Sequence, residues 1–416
     1  MSFKLLSLTS VLCLLLQYGY ASLEVCAECP YQAIKPAIAA AQAEDTIFIH
    51  AGVYQEGNIV IDKALTLIGK DYPVIDGQNE TEVITVLANR VTLQGLHIKN
   101  VGVSYLEDRA GIRVKKAKHF LIKDNKLTDT FFGVYLEHAR EGVVIGNKIK
   151  AQAREEASSG NAIHAWYCRK LRVENNHVQG HRDGIYFEFV DSSLIRRNVS
   201  EHQLRYGLHF MFSNNDSYEQ NTFRYNGAGV AVMFSKKINM WENRFAHNWG
   251  GASYGLLLKE INDADIVRNV FEENTIGIYV EGANRIHYLN NEFRHNGWAI
   301  KIAGGCMDND VSGNNFISNT FDLAQAGKGT YNSFDGNYWS EYTGYDLDRD
   351  GVGDVPFRPV KLFSYVVDQT PETMVLLRST FVDIINFSEK ISPILTPAQV
   401  QDTRPQMQAI DIPFTN

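Results

Sequence analysis

A short pattern, one small residue followed by apolar, variable and apolar positions, recurs along this chain and restricts its fold more than any other feature. It starts at Gly111, Gly133, Ala162, Gly184, Gly207, Gly229, Gly255, Gly277 and Ala299, with spacings of 22, 29, 22, 23, 22, 26, 22 and 22 residues. Fourteen residues after each of the first eight starts stands an asparagine: Asn125, Asn147, Asn176, Asn198, Asn221, Asn243, Asn269 and Asn291. The ninth unit gains one residue and places Asn314 and Asn315 there. Two positions further on runs an apolar column, Leu127, Ile149, Val178, Phe223, Phe245, Phe271, Phe293 and Phe316, broken only by Ser200.

A fixed period of this length marks a solenoid, because one unit cannot bury its apolar face alone and stacked units can. Each unit is too short for two helices, and its pieces alternate apolar and polar over four or five residues, the strand period. The expected fold is therefore all-β, a right-handed parallel β-helix with coils of about 22 residues. Equivalent residues then stack about 4.8 Å apart. Asparagines so stacked bond one another while tolerating left-handed backbone, and the apolar column fills the interior.

The flanks carry different signals. Lys4, an apolar core from Leu5 to Leu16 and the small residues of Gly19-Tyr20-Ala21 read as a cleavable export signal over residues 1–21. Ile34, Ile38 and Ala41 place a short amphipathic helix over Tyr31 to Ala43, capping one end of the solenoid, before a strand at Thr46 to Ile49. Two looser coils follow, around Ile59 to Asp76 and Val83 to Asn100, so that the β-helix occupies residues 22–330. Residues 331–360 are rich in Gly, Asp and Tyr, and 361–416 form a helical tail. Within it Leu377, Phe381, Ile384, Phe387 and Ile391 sit at helical intervals, predicting an amphipathic helix of about 20 residues. Periodicity leaves open whether that helix seals the solenoid or docks on a partner. Longer spacings put surface loops at Gln152 to Gly160 and Asn248 to Ala252.

Lys plus Arg total 40 against 48 Asp plus Glu, a formal net charge of -8, which is the wrong sign for a nucleic-acid binder held by phosphate neutralisation. The chemistry must lie in particular side chains. On the first strand of each unit the second and fourth residues after the start point outward. Mid-solenoid these are His164 and Trp166, Tyr186 and Glu188, His209 and Met211, then Ala231 and Met233. Exposed His, Trp, Tyr and Met where water favours Thr, Ser or Lys mark His164, Trp166, Tyr186 and Glu188 as a binding face. Met211 and Met233 share an offset on successive coils with His209 beside them, a soft donor set that prefers Cu(I). The plainer reading makes the methionines an adaptable apolar surface beneath a loop or a partner chain. Glu137 and Glu188 share an offset two coils apart, roughly 9.6 Å by strand spacing, near the upper limit for an inverting glycosidase pair. That keeps a β-helical polysaccharide lyase, epimerase or hydrolase as the alternative function.

Two further groups bear on metals. Asp346, Asp348, Asp350, Gly351 and Asp354 match the opening of a calcium loop, but Phe357 stands where the closing Glu of an EF-hand belongs. Cys26 and Cys29 form a CxxC just after the export signal, an oxidised pair, a thiolate metal clip or a redox couple. Cys168 and Cys306 lie six coils apart, too far to pair.

The run Gly336-Asn-Tyr-Trp-Ser-Glu-Tyr-Thr-Gly-Tyr-Asp-Leu-Asp-Arg-Asp-Gly-Val-Gly-Asp-Val-Pro356, with Arg358-Pro-Val and Leu362-Phe-Ser-Tyr365, resembles the C-terminal signature of NosD proteins. These are periplasmic maturation proteins of nitrous oxide reductase. The likeness extends from Asp45-Thr-Ile-Phe-Ile-His-Ala-Gly-Val-Tyr-Gln-Glu56 to Thr403-Arg-Pro-Gln-Met407. The resemblance implies a periplasmic protein that is not an enzyme. It implies work with an ABC-type transporter, made of an ATPase and a membrane subunit, and with a copper-carrying lipoprotein, in assembling the reductase's copper-sulfide centre. It also implies that the C-terminal helix docks on the membrane subunit.

Overall fold

The computed structural model describes residues 22–104, 106–250, 253–325, 332–391 and 400–413; the export signal expected over 1–21 lies outside them. Three parallel sheets of 14, 12 and 13 strands wind into one β-helix, each strand pairing with its equivalent on the coil before and the coil after. The register keeps the repeat aligned: Ile185, Tyr186, Phe187 and Glu188 face Leu208, His209, Phe210 and Met211, which in turn face Val230, Ala231, Val232 and Met233.

The two columns read from sequence line the interior. Backbone N–H and Nδ2 of each asparagine donate to Oδ1 of the next, as in Asn198 to Asn221 at 2.9 and 3.0 Å, and Nδ2 also donates back to the preceding coil, Asn198 to Val173 O at 2.8 Å. Phe223, Phe245, Phe271, Phe293 and Phe316 stack beside them with centroids 4.6 to 5.6 Å apart. At the interruption, Ser200 Oγ donates to Gly207 O at 2.8 Å, and Gly184 lies so close that a Cβ there would come within 2.0 Å of that Oγ. A second ladder, Gln203, Asn226, Asn248, Asn274, Asn296 and Asn319, lines another corner.

The ends depart from expectation in detail. The cap helix α1 runs only over Ile34–Ala40, because the Glu56 carboxylate accepts from the N–H groups of Ile34 (2.6 Å) and Lys35 (3.0 Å) and so fixes where it begins. Ser22–Val25 forms a strand that pairs with Thr46–Ile49, an element that the sequence pattern had not marked. At the other end parallel strands continue to Tyr338–Trp339. Asn337 is a further rung of the first ladder, and Trp339 stacks on Phe316 at 4.1 Å. Buried Asp402 then accepts from Asn337 N–H and Nδ2 (both 3.0 Å) and from Trp339 Nε1 (2.9 Å), closing the ladder.

The helix of about 20 residues expected around Leu377 to Ile391 is the shorter α3, over Thr380–Ile391, preceded by α2 over Leu362–Gln369 and a 3-10 turn over Pro371–Leu376. Pro371 and the Ser379 cap, whose Oγ accepts from Val382 N–H, impose the breaks. Phe363, Val367 and Val382 pack against Trp298 and Phe321 of the last coils. Of the stripe that predicted the helix, Phe381 and Ile384 (59% exposed) and Phe387 (64%) turn outward, while Leu377 packs against the inward cluster.

Candidate functional site

The site lies on the sheet that contains Phe132–Glu137, Ile163–Trp166, Ile185–Glu188, Tyr206–Met211 and Ala228–Met233. Strand alternation turns two parallel columns of side chains outward from it.

The inner column is Tyr135, His164, Tyr186, His209 and Ala231. Its aromatic rings pack one on the next at 4.6, 4.8 and 4.6 Å, and Tyr206 flanks His209 at 4.9 Å. The sequence reading exposes these residues; in the structure His164, Tyr186 and His209 are buried. The reason is the corner that precedes each strand, where Asn161, Arg182, Asp183, Arg205 and Tyr206 gather against the column. Asp183 is fully buried and accepts from Arg205 Nε (2.9 Å) and Nη2 (2.5 Å) and from Tyr206 N–H (3.2 Å). Burial opposes its charge, but the hydrogen bonds and charge of Arg205 outweigh that and hold its pKa at about 2. Burial and the charge of Arg182 push His164 down to about 3, so it is neutral. Five polar atoms concentrated here are buried without a hydrogen-bond partner among the described residues: Asn161 Oδ1, His164 Nε2, Arg182 Nε and both ring nitrogens of His209. Buried polar atoms are nearly always paired, so such a cluster marks a place that receives something polar.

The outer column is Glu137, Trp166, Glu188, Met211 and Met233. Met211 and Met233 stand side by side on paired strands, and the Tyr186 hydroxyl donates to Met211 Sδ at 3.6 Å. Burial, then the charge of Glu188, raises that hydroxyl to about 12, so it stays a donor. Asp108, Arg113, Tyr135, Glu137, His164, Trp166 and Glu188 line an open groove beside it. Glu137 is held by Arg113 (3.5 Å) and Lys115 (3.3 Å), which leaves it poorly suited as half of a hydrolytic acid pair.

One more column was not foreseen. Tyr167, Phe189, Phe212 and Phe234 each follow an outer-column residue, stack at 4.6, 5.1 and 5.1 Å, and remain 37 to 47% exposed. All four hold left-handed backbone, φ 50 to 54°, at the offset where other coils place Lys116, His138, Glu260 and Gly282. A fifth offset traced along the repeat reveals them, as an opposite-charge pair just before two successive strands reveals Asp183 and Arg205.

The other predicted residues lie elsewhere. Cys26 and Cys29 are joined as a disulfide, Cα atoms 4.9 Å apart. Cys168 is buried, its thiol pushed up to about 12 by burial, and Cys306 is partly buried. Asp346, Asp348 and Asp350 bring carboxylate oxygens within 4.8 Å of one another. Asp354 instead accepts from Leu347 N–H at 2.7 Å, and Asp346 accepts from the N–H groups of Asp350 and Gly351. These bonds cap a tight turn on which three of the four carboxylates read from sequence come together.

Known proteins bear on this geometry. Residues 150–344, which hold the stacked columns from His164 onward, match the family model described as "Periplasmic copper-binding protein (NosD)". A "Probable ABC transporter binding protein NosD" of Pseudomonas aeruginosa is 30% identical over 377 residues, covering 86% of this chain and 87% of its own. The chain belongs to the NosD family. A NosD of Stutzerimonas stutzeri carrying the same description is 28% identical over 378 residues, 86% of each chain. Among solved structures, the A-module of the Azotobacter vinelandii mannuronan C-5 epimerase AlgE6 superposes with a TM-score of 0.53 at 14% identity, over 73% of this chain and 88% of its own. XylC in complex with xylose superposes at 0.52 and 12% identity, over 68% and 76%. Both are likenesses of fold alone.

Proposed function

We propose that this NosD-family chain is a periplasmic copper-handling adaptor, not an enzyme, that serves the maturation of nitrous oxide reductase and its copper-sulfide centre. The observation that carries the reading is the pairing of Met211 and Met233 in register on the outer column, beside an imidazole, His209, whose nitrogens make no hydrogen bond among the described residues. Thioether and imidazole donors suit Cu(I), and methionines hold it loosely enough to pass it on. Copper is cargo in this reading, with the Tyr186 hydroxyl fixing Met211 on the face. The family description and the names of the two relatives support copper and an ABC-type transporter as partners. A copper-carrying lipoprotein as donor and the reductase as acceptor complete the route. The outward stripe of α3 is the contact offered to the transporter's membrane subunit, and the chain reaches the periplasm through the export signal at its N-terminus.

Anaerobic Cu(I) titration against a competing chelator tests this. Binding should be lost in Met211→Leu/Met233→Leu and kept in Cys26→Ser/Cys29→Ser; the reverse pattern moves the site to the CxxC. Turnover of an acidic polysaccharide by the purified chain, abolished by Glu188→Gln, would replace the reading by the enzymatic one.

A further inference from the structure

We infer that Asp183 is a positioning residue for the copper site: it fixes His209 as the Nδ1–H tautomer, so that Nε2 presents its lone pair to the metal. The inference rests on the copper reading only for its functional consequence. Its structural part stands on four observations. Asp183 Oδ2 lies 3.8 Å from His209 Nδ1, too long for a hydrogen bond and close enough for the charge to act. Among the described residues, no other group bonds either ring nitrogen of His209. The carboxylate is fully buried and cannot turn away, because Arg205 and the Tyr206 N–H hold it. The imidazole is held too, between Tyr186 and Tyr206 at 4.6 and 4.9 Å.

In the form that can bind a metal, the imidazole carries one N–H and one lone pair. Turning the Nδ1 lone pair toward a buried carboxylate would set two electron-rich atoms against each other where little solvent screens them. Turning Nδ1–H toward it is attractive. The proton therefore belongs on Nδ1, and the lone pair belongs on Nε2, the ring nitrogen farther from the backbone. A carboxylate behind a metal-binding histidine in this way fixes its tautomer and raises its basicity. Arg205 keeps Asp183 charged and in place, so the pair acts on copper through His209 without touching it.

The test reads the tautomer and the metal separately. Long-range 1H–15N spectra of the chain selectively labelled at histidine, with the His209 signals identified by their loss in His209→Gln, should show His209 as Nδ1–H in the copper-free wild type. In Asp183→Asn the amide NH2 can donate to Nδ1, so the tautomer should reverse, and Cu(I) affinity should fall about 10- to 100-fold. Wild-type His209 found as Nε2–H overturns the inference whatever copper does, and needs no variant to fold. A tautomer that reverses with unchanged Cu(I) affinity leaves the orienting role of Asp183 standing and overturns His209 as a ligand.

Discussion

Asn198 bears more load than its size implies. Its Oδ1 accepts the backbone N–H (2.9 Å) and Nδ2 (3.0 Å) of Asn176, and its own Nδ2 serves Val173 O and Arg196 O. Truncation to alanine takes the partner from the Asn176 N–H and removes one bond each from Asn176 Nδ2, Val173 O, Arg196 O and Asn221 Oδ1, inside a column that water cannot enter. Each unpaired buried group costs about 1–3 kcal/mol, partly relieved by relaxation, so Asn198→Ala should lose about 3 kcal/mol in denaturant unfolding. A loss below about 1 kcal/mol would mean that water replaces the amide. These rungs were legible because identical residues recur at one offset. Asp402 was not, since it comes from the tail and falls outside the period, and only the stacking direction of the ladder calls for it. Every rung passes donors forward, so the last needs a group that accepts without donating, and an ionised carboxylate is such a group.

At the scale of elements, periodicity identifies a face but not what lies against it. The tail stripe Phe381, Ile384 and Phe387 was plain in the sequence, yet whether it sealed the solenoid depended on a neighbouring set, Phe363, Val367 and Val382, which does the sealing in its place. The site strands show the same limit: alternation turned His164, Tyr186 and His209 outward correctly, but the corners that bury them vary from coil to coil and leave no periodic trace. The two helix faces give opposite predictions. Phe381→Asp/Phe387→Asp changes residues already in water, so the melting temperature should stay within about 2 °C of wild type while capture by the detergent-solubilised transporter falls at least about tenfold. Val382→Asp places a charge in the seam against the last coils and should unfold the tail. Wild-type capture by the double variant would remove α3 from the docking surface.

Across the whole molecule, both asparagine ladders run the same way and both end on an aspartate. Asp402 closes one, and Asp322 accepts from Asn319 Nδ2 at 3.1 Å at the end of the other, beneath the tail. Their surroundings differ. Asp402 receives donors from Gly336, Asn337, Trp339 and Arg404, whereas burial raises Asp322 to about 6 against the weaker pull of Asn319 and Lys361. The unfolded chain loses this proton near pH 3.9 and the folded one near 6. Between those values the folded state holds the extra proton, so the contribution of Asp322 to stability falls as pH rises from about 4 to about 6 and stays low above. Two pKa units correspond to about 3 kcal/mol. Asp322→Asn keeps the acceptor for Asn319 and removes the charge, so it should match wild type near pH 4 and exceed it by about 2–3 kcal/mol at pH 7 in chemical denaturation. Subtracting wild type from variant at each pH cancels the other carboxylates, Asp183 included, whose depressed pKa favours folding above about 4 in both proteins. A difference that does not change with pH would mean that Asp322 is solvated where the tail meets the last coil, and that the seal at this end of the solenoid opens to water.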